Sequence, residues 1–448
     1  MRGARRFFQV IAAMAAAGCS LDPWVSPRVA ATCPSDAAAC AMTSASPAWN
    51  ALAAGSRFTC ALVEGGRARC WGDDINVVPL LTPGMTDPSV PREVSLGLMS
   101  GEAAVAISGS YDHVCVAVKR LPGADTAIPP SRILCWGEGD DGQLGSVPAR
   151  DSHTPLAVEG LPELAVVRSL SAGNGFTCAA FENEPRVFCW GAHDAQPASA
   201  LTVGMHRAIT LPNAPGTSRP QLPLHVAAGY SNACALAATG RVYCWGSNES
   251  AQLGNGAPER LDVAAPMTPV STAQGEVTDA VAVAIGGVDD TADHFACLLR
   301  RSGQVLCWGD DQEGQSAGRL VEPDMTGAER VRQAERVTPI GANFTRLSLG
   351  DAHGCALRDN GDVWCWGLAR NAQTGRDPAG DTVDARTVAS RLMGPSAHLA
   401  AGQHHTCSAT RSASGLAAAV QCFGSNANSQ LGASPLTTQM SATPVLVP

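Results

Sequence analysis

Fourteen of the seventeen cysteines fall into seven successive pairs: Cys60/Cys70, Cys115/Cys135, Cys178/Cys189, Cys234/Cys244, Cys297/Cys307, Cys355/Cys365 and Cys407/Cys422. Cysteines at regular spacing support two chemistries, a covalent crosslink or a metal site. Structural zinc uses cysteines two to four residues apart and pools two such pairs. Here each repeat has one pair, separated by ten, eleven, fifteen or twenty residues. That spacing points to disulfides and an oxidising compartment. Cys33 and Cys40 make an eighth close pair, and Cys19 is left over.

Other side chains offer less. His113, His353 and His405 each lie two residues before a first cysteine, where Phe58, Phe176, Asn232 and Phe295 stand in other repeats. Phenylalanine at that position argues against a metal ring. The expectation is a histidine that hydrogen-bonds the backbone of its own loop. No phosphate-binding loop, nucleophile elbow, zinc-protease motif or dinucleotide fingerprint is found. Asp289-Asp290 is a paired acid without catalytic context. The chain is therefore read as non-enzymatic, with no catalytic residue, cofactor or metal. One pattern could bind. The segments after Trp-Gly in the first five units carry Asp73, Asp74, Glu138, Asp140, Asp141, Asp194, Glu249, Asp310, Asp311 and Glu313, and those of the last two carry no acid. An acidic rim of this kind would select a basic protein patch, a cation or an amine. Asp is also simply a good turn residue. Loop insertions at 120–131, 288–294 and 411–419 add further surfaces.

The elements that hold these residues can be read from one hairpin. In Cys355-Ala-Leu-Arg-Asp-Asn-Gly-Asp-Val-Trp-Cys365, Asp359-Asn360-Gly361 suits a three-residue loop with Gly361 left-handed. Arg358 then faces Asp362, Leu357 faces Val363 and Cys355 faces Cys365. Counting outward puts the cysteines at a non-hydrogen-bonded pair, about 4.5 Å apart at Cα, which a disulfide can bridge. Before each pair stands a small-apolar segment ending in Gly, such as Leu399-Ala-Ala-Gly402. After the better copies comes a Gln-Leu-Gly segment, at 143–145, 252–254 and 430–432. Seven such units predict an all-β, seven-bladed propeller of four-stranded blades, one hairpin disulfide per blade. Trp71, Trp136, Trp190, Trp245, Trp308 and Trp366, with Phe423 in the last unit, would fill the space between blades. Each blade is expected to be contiguous, with 442–448 as the last outer strand.

Three segments together resemble the regulator of chromosome condensation repeat family: Gly350-Asp-Ala-His353-Gly-Cys355-Ala-Leu357, Val242-Tyr-Cys-Trp-Gly246 and Gln-Leu-Gly. The resemblance covers residues 49–448 and implies a seven-bladed propeller. Members include a nuclear guanine-nucleotide exchange factor, a secreted β-lactamase inhibitor and bacterial surface proteins. No exchange element is matched here, so exchange activity is not carried over. Enzyme inhibition, and a lyase or hydrolase site at the propeller axis, are the alternatives to plain protein binding.

Residues 1–18 read as a lipoprotein signal: Arg2, Arg5 and Arg6, a short apolar stretch, then Ala16-Ala17-Gly18 before Cys19. Cys19 would be lipidated, and 19–48, rich in Ala, Ser, Pro and Thr, would be a tether. An ordinary secretory signal is the other reading, and both export the chain. The expectation is a monomer, lipid-anchored in a bacterial cell envelope and touching membrane through the anchor alone. A net charge of −9 argues against nucleic acid. The partner is expected to be a protein.

Overall fold

The computed structural model describes residues 50–73, 77, 87–126, 129–162, 166–191, 206–256, 267, 269–287, 294–316, 330–337, 341–375, 390–392, 396–432 and 439–445. The chain divides into two units, Met1–Ala48 and Trp49–Pro448. The signal, the tether, Cys19, Cys33, Cys40, Asp74 and Asp194 lie outside the described residues.

Every regular element described in the second unit is a strand, and the strands recur in one order. The first group is β1 (Leu52–Ala54), β2 (Phe58–Val63), β3 (Arg67–Gly72) and β4 (Arg92–Val94). Next come β5 (Glu102–Gly109), β6 (His113–Arg120), β7 (Ser131–Gly137) and β8 (Ser152–Ala157), then β9 (Val167–Ala172), β10 (Phe176–Phe181), β11 (Arg186–Gly191) and β12 (Arg207–Thr210). The fourth group is β13 (Pro223–Ala228), β14 (Asn232–Ala237) and β15 (Val242–Gly246), followed by a small hairpin of β16 (Ser271–Thr272) and β17 (Gly275–Glu276). The fifth is β18 (Ala280–Gly286), β19 (Phe295–Arg300), β20 (Val305–Asp310) and β21 (Arg330–Arg336). The last two are β22 (Phe344–Leu349), β23 (His353–Arg358), β24 (Val363–Gly367) and β25 (Ser390–Leu392), then β26 (His398–Ala401), β27 (His405–Arg411), β28 (Ala417–Gly424) and β29 (Gln439–Val445).

Each group pairs as an antiparallel meander in chain order. The first and last groups are additionally joined by one parallel bridge, Val63 to Ala417. The last outer strand is β29, which begins at Gln439, three residues before the expected start at 442, and pairs β28 of its own group; residues 446–448 of that expectation lie outside the described residues.

The hairpin register follows from the turn. Gly361 has φ of 86°, Arg358 N–H bonds Asp362 O, and Gly361 N–H bonds Arg358 O. Leu357 then faces Val363 and Cys355 faces Cys365. The two Cα atoms are 4.0 Å apart and their sulfurs are bonded.

The same cross-strand disulfide joins Cys60 to Cys70, Cys178 to Cys189, Cys234 to Cys244 and Cys297 to Cys307. In each of these four hairpins the two cysteines face each other directly in the ladder. The longer-tipped pairs Cys115–Cys135 and Cys407–Cys422 are bonded in the same way. Extra residues in those two hairpins lie beyond the paired cysteines, which still face each other, although the second ladder shifts register between Ala409 and Arg411. The Cα separations are all 4.0–4.1 Å, which corrects the about 4.5 Å expected of an unlinked pair. The covalent bond draws the strands together. Each of these cysteines is buried, Cys70, Cys189, Cys244 and Cys307 as much as their partners, so the staples are part of the core between the sheets.

The rest of that core is aromatic. Trp71, Trp136, Trp190, Trp308 and Trp366 are fully buried, as is Phe423 in the last unit, and Trp245 is buried with them. The glycine of each Cys-Trp-Gly has a structural cause. Gly367 has φ of 90°, and a Cβ there would overlap the carbonyl of Ala352. That carbonyl accepts from Leu368 N–H at 2.8 Å, so the chain leaves the third strand pinned to the loop that begins the second.

Candidate interaction face

Where they lie among the described residues, two loops of a unit emerge on one side: the loop between the first two strands, and the segment after Trp-Gly. They are tied within a unit by backbone bonds such as Glu138 N–H to Asp112 O, Asp310 N–H to His294 O and Ser425 N–H to His404 O, 2.9–3.0 Å long. They are tied between units by Ser56 N–H to Tyr111 O, Asn174 N–H to Gly229 O, Gly287 N–H to Gly350 O and Gln403 N–H to Gly55 O. The last of these links the final unit to the first.

The segment after Trp-Gly is a built turn. Gln252 Oε1 accepts from Ser250 N–H, Gln315 Oε1 from Glu313 N–H, Gln373 Oε1 from Asn371 N–H and Gln430 Oε1 from Asn428 N–H, each 2.8 Å long. The backbone carbonyls of these glutamines face the next unit. Trp190 Nε1 donates to Gln143 O, Trp308 to Gln252 O, Trp366 to Gln315 O and Trp71 to Gln430 O, over 2.7–3.0 Å. Gln315 and Gln373 were not recognised with the Gln-Leu-Gly segments, because Ser316 and Thr374 replace the leucine. Their signal was the offset: Gln143, Gln252, Gln315, Gln373 and Gln430 all lie seven residues after the Trp or Phe of their unit.

The histidines also act between units, which corrects the expectation that each bonds its own loop. His113 Nε2 reaches Thr177 Oγ1 (2.8 Å), His353 Nε2 reaches Thr406 Oγ1 (2.9 Å) and His405 Nε2 reaches Thr59 Oγ1 (2.8 Å). Each threonine donates its single proton to a glutamine carbonyl: Gln143, Gln373 or Gln430. It must therefore accept from an imidazole protonated at Nε2. Burial, first, and the neighbouring imidazoles, second, hold His353 and His405 down at about 3. They are neutral connectors, with side chains given wholly to the junction.

The acids separate into two groups. Asp73, Asp140, Asp141 and Glu249 are exposed, and Glu138 is half-buried. Asp310 and Asp311 are fully buried. Asp310 accepts from Gln312 N–H (3.2 Å) and Gln315 Nε2 (2.7 Å), and Asp311 Oδ1 accepts from Ser316 N–H (2.7 Å). Their charge holds the turn and does not face solvent. Glu313 is paired with Arg370 at 2.8 Å.

The negative field is concentrated at the second unit. Asp112 from the first loop meets Glu138, with Asp141 and Asp151 nearby. A hydrogen bond to Asp112, then burial, then the charges of Asp112, Asp151 and Asp141 push Glu138 up to about 8. Burial pushes Asp141 up as well, with help from Asp112 and Asp140. For Asp112, burial opposes ionisation, but the neighbouring His113 imidazole and Glu138 carboxyl outweigh it and hold its carboxyl below the usual range. The two carboxyls titrate as a pair, with Glu138 shifted up and Asp112 down. Among the described residues no cluster of three or more His, Cys, Asp or Glu is placed to hold a metal ion.

These repeated turns decide the comparison with known proteins. Models of the regulator of chromosome condensation (RCC1) repeat match residues 49–76, 224–252, 293–315 and 344–373, and residues 131–180 and 239–287. Those segments are similar to the regulator of chromosome condensation repeat. The matched segments include the Trp-Gly and glutamine turns at 71–72, 245–252, 308–315 and 366–373. The repeats are similar to those of the probable E3 ubiquitin-protein ligase HERC6 of Homo sapiens, 28% identical over 61% of this chain and 25% of that protein. Protein pim1 of Schizosaccharomyces pombe is 24% identical over 75% of this chain and 62% of its own. The chain thus spans a quarter of the first relative and under two thirds of the second. Prp20p of Saccharomyces cerevisiae, a structure described with its binding to Gsp1p and histones, shares the fold. Its TM-score is 0.64 at 18% identity, over 84% of this chain and 85% of that one.

Proposed function

We propose that residues 49–448 form a closed seven-bladed propeller that binds a protein partner non-covalently, through the face carrying the paired loops. The observation that carries the reading is the asymmetry of that face. Exposed or half-buried acids gather at the second unit, while the fifth unit's acids are turned inward or ion-paired. Such a surface draws a basic patch and orients it. The hydrogen bond from Gln403 to Gly55 and the seven like disulfides support the closed seven-bladed count. The regulator of chromosome condensation repeats support protein binding in place of catalysis, since such motifs are scaffold and function lies in the loops. Export and lipidation at Cys19, with 19–48 as a tether and an eighth disulfide at Cys33–Cys40, complete the proposal. Their support is the apolar, arginine-led segment 1–19 and the odd count of seventeen cysteines, of which fourteen are paired in the described residues.

The test is capture by crosslinking in the native host, comparing the wild-type chain with Asp140→Arg/Asp141→Arg and with Glu249→Arg. A partner recovered by wild type and lost with Asp140→Arg/Asp141→Arg supports the second-unit surface. A chain that captures nothing specific, or captures equally after charge reversal, refutes it. Intact mass of the mature chain, before and after reduction, tests lipidation and disulfide number separately.

A further inference from the structure

Titratable contacts between units are not spread evenly. The position two before the first cysteine is Phe58, Phe176, Asn232 or Phe295 at four junctions and His113, His353 or His405 at three. Two of those three flank the last unit: His353 of β23 grips Thr406 of β27, and His405 of β27 grips Thr59 of β2. A third imidazole closes the same boundary. His398 Nδ1 accepts from Ala51 N–H at 3.2 Å while its Nε2 donates to Gly415 O at 3.0 Å. Nδ1 can accept only while it is bare. A proton there removes the acceptor for Ala51 and creates a buried donor.

The surroundings decide whether a proton could be tolerated. His398 faces Arg346 of β22 and Arg411 of β27, both cationic. Arg346 itself is pushed down to about 10 by burial and by Arg411. His353 faces His404 and His405, and His405 faces His404. Asp351 lies on the loop two residues before His353. The neighbours from the first unit are the Ala51 amide, just before β1, and the Thr59 hydroxyl of β2. The Nδ1 atoms of His353 and His405 are buried with no hydrogen-bond partner among the described residues. His113 differs, because its Nδ1 lies 3.8 Å from the Asp112 carboxylate, a ready counter-ion.

We propose that the last unit, β26–β29, is an acid-released segment: protonation of His353, His398 and His405 frees both of its boundaries while the other junctions hold. The disulfide Cys407–Cys422 keeps the freed hairpin paired, so release is a hinge movement of an intact unit rather than its unfolding. Once freed, each imidazole regains a pKa of about 6.5, and each then favours the open state by about thirtyfold at pH 5.

Hydrogen exchange of the full chain, read by mass spectrometry at pH 7.5 and pH 5 and corrected for intrinsic rates, tests this. The expected result is a selective loss of protection at pH 5 in 396–424 and 51–63, with 166–191 and 294–310 unchanged. His353→Phe/His405→Phe, which installs the residue found at other junctions, should cut the excess exchange by about a thousandfold at pH 5. His113→Phe should leave it intact. Uniform loss of protection, no loss by pH 5, or an excess that survives His353→Phe/His405→Phe would each overturn the proposal. If that double variant does not fold, the regional pattern in the wild-type chain decides alone.

Discussion

The indole Nε1 of Trp366 donates to the backbone carbonyl of Gln315, 2.9 Å away in the preceding unit. Thr406 makes the matching bond to Gln373 at the next junction, where Phe423 has no N–H to offer. At these junctions one turn carbonyl anchors the following sheet, and the side chain that reaches it can be an indole, a threonine or, as at Gln143 and Gln430, both.

Trp366→Phe keeps most of the buried ring but strands the Gln315 carbonyl. The expected loss is about 1–3 kcal/mol, the penalty of an unsatisfied buried acceptor. Urea denaturation should show a lower midpoint with an unchanged slope. An unchanged midpoint would mean water or another donor replaces the indole.

Gly350→Ala should be severely destabilising. A Cβ there overlaps both the His353 ring and the Gly402 carbonyl. Removing the ring with His353→Ala relieves one clash and leaves the other, so the double variant should recover only part of the lost melting temperature. Full recovery would show that the inter-unit backbone can shift.

Global stability should fall in acid. His353, His398 and His405 sit at about 3 and His225 at about 4, all lowered first by burial. Unfolded, each returns to about 6.5. Their contribution is therefore complete above pH 6.5 and is lost as pH falls from there toward 3. The slope is about 1.4 kcal/mol per pH unit for each imidazole. Denaturant midpoints at pH 7, 6, 5 and 4 check this, and a flat profile would contradict the burial.

Glu138 has the opposite sign. Its folded pKa is raised from 4.5 to about 8, so its contribution is complete below 4.5 and is lost as pH rises through 8. Glu138→Gln should raise the melting temperature relative to wild type at pH 9 and match it at pH 4. Equal curves at both pH values would mean Asp112 and Glu138 do not share a proton.

Removing one staple, as Cys355→Ala/Cys365→Ala, should cost about 2–3 kcal/mol by the loop-entropy account. The loss should be much the same for Cys60–Cys70, Cys234–Cys244 and Cys297–Cys307, because the closed loops are equal in length. A far larger loss at one pair would locate the unit on which the others depend.

What the sequence determined by itself was local. A three-residue turn fixes which residues face across a hairpin, so Asp359-Asn360-Gly361 fixed the Cys355–Cys365 pairing about five residues away. The repetition of that pattern fixed the all-β architecture. The glutamine turns at Gln143, Gln252 and Gln430 were legible as Gln-Leu-Gly, while Ser316 and Thr374 disguised those at Gln315 and Gln373. Tertiary structure alone decided the partners of His113, His353 and His405, which are threonines some fifty to three hundred and fifty residues away. It also turned Asp310 and Asp311 inward while leaving Asp140 and Asp141 exposed. The physical reason is range. Hairpin register is set by covalent geometry over a few bonds. Which hydroxyl meets which imidazole, and which carboxylate loses its water, depends on how separate sheets pack: Asp73 and Asp310 both lie two residues after their Trp, yet the first is exposed and the second buried.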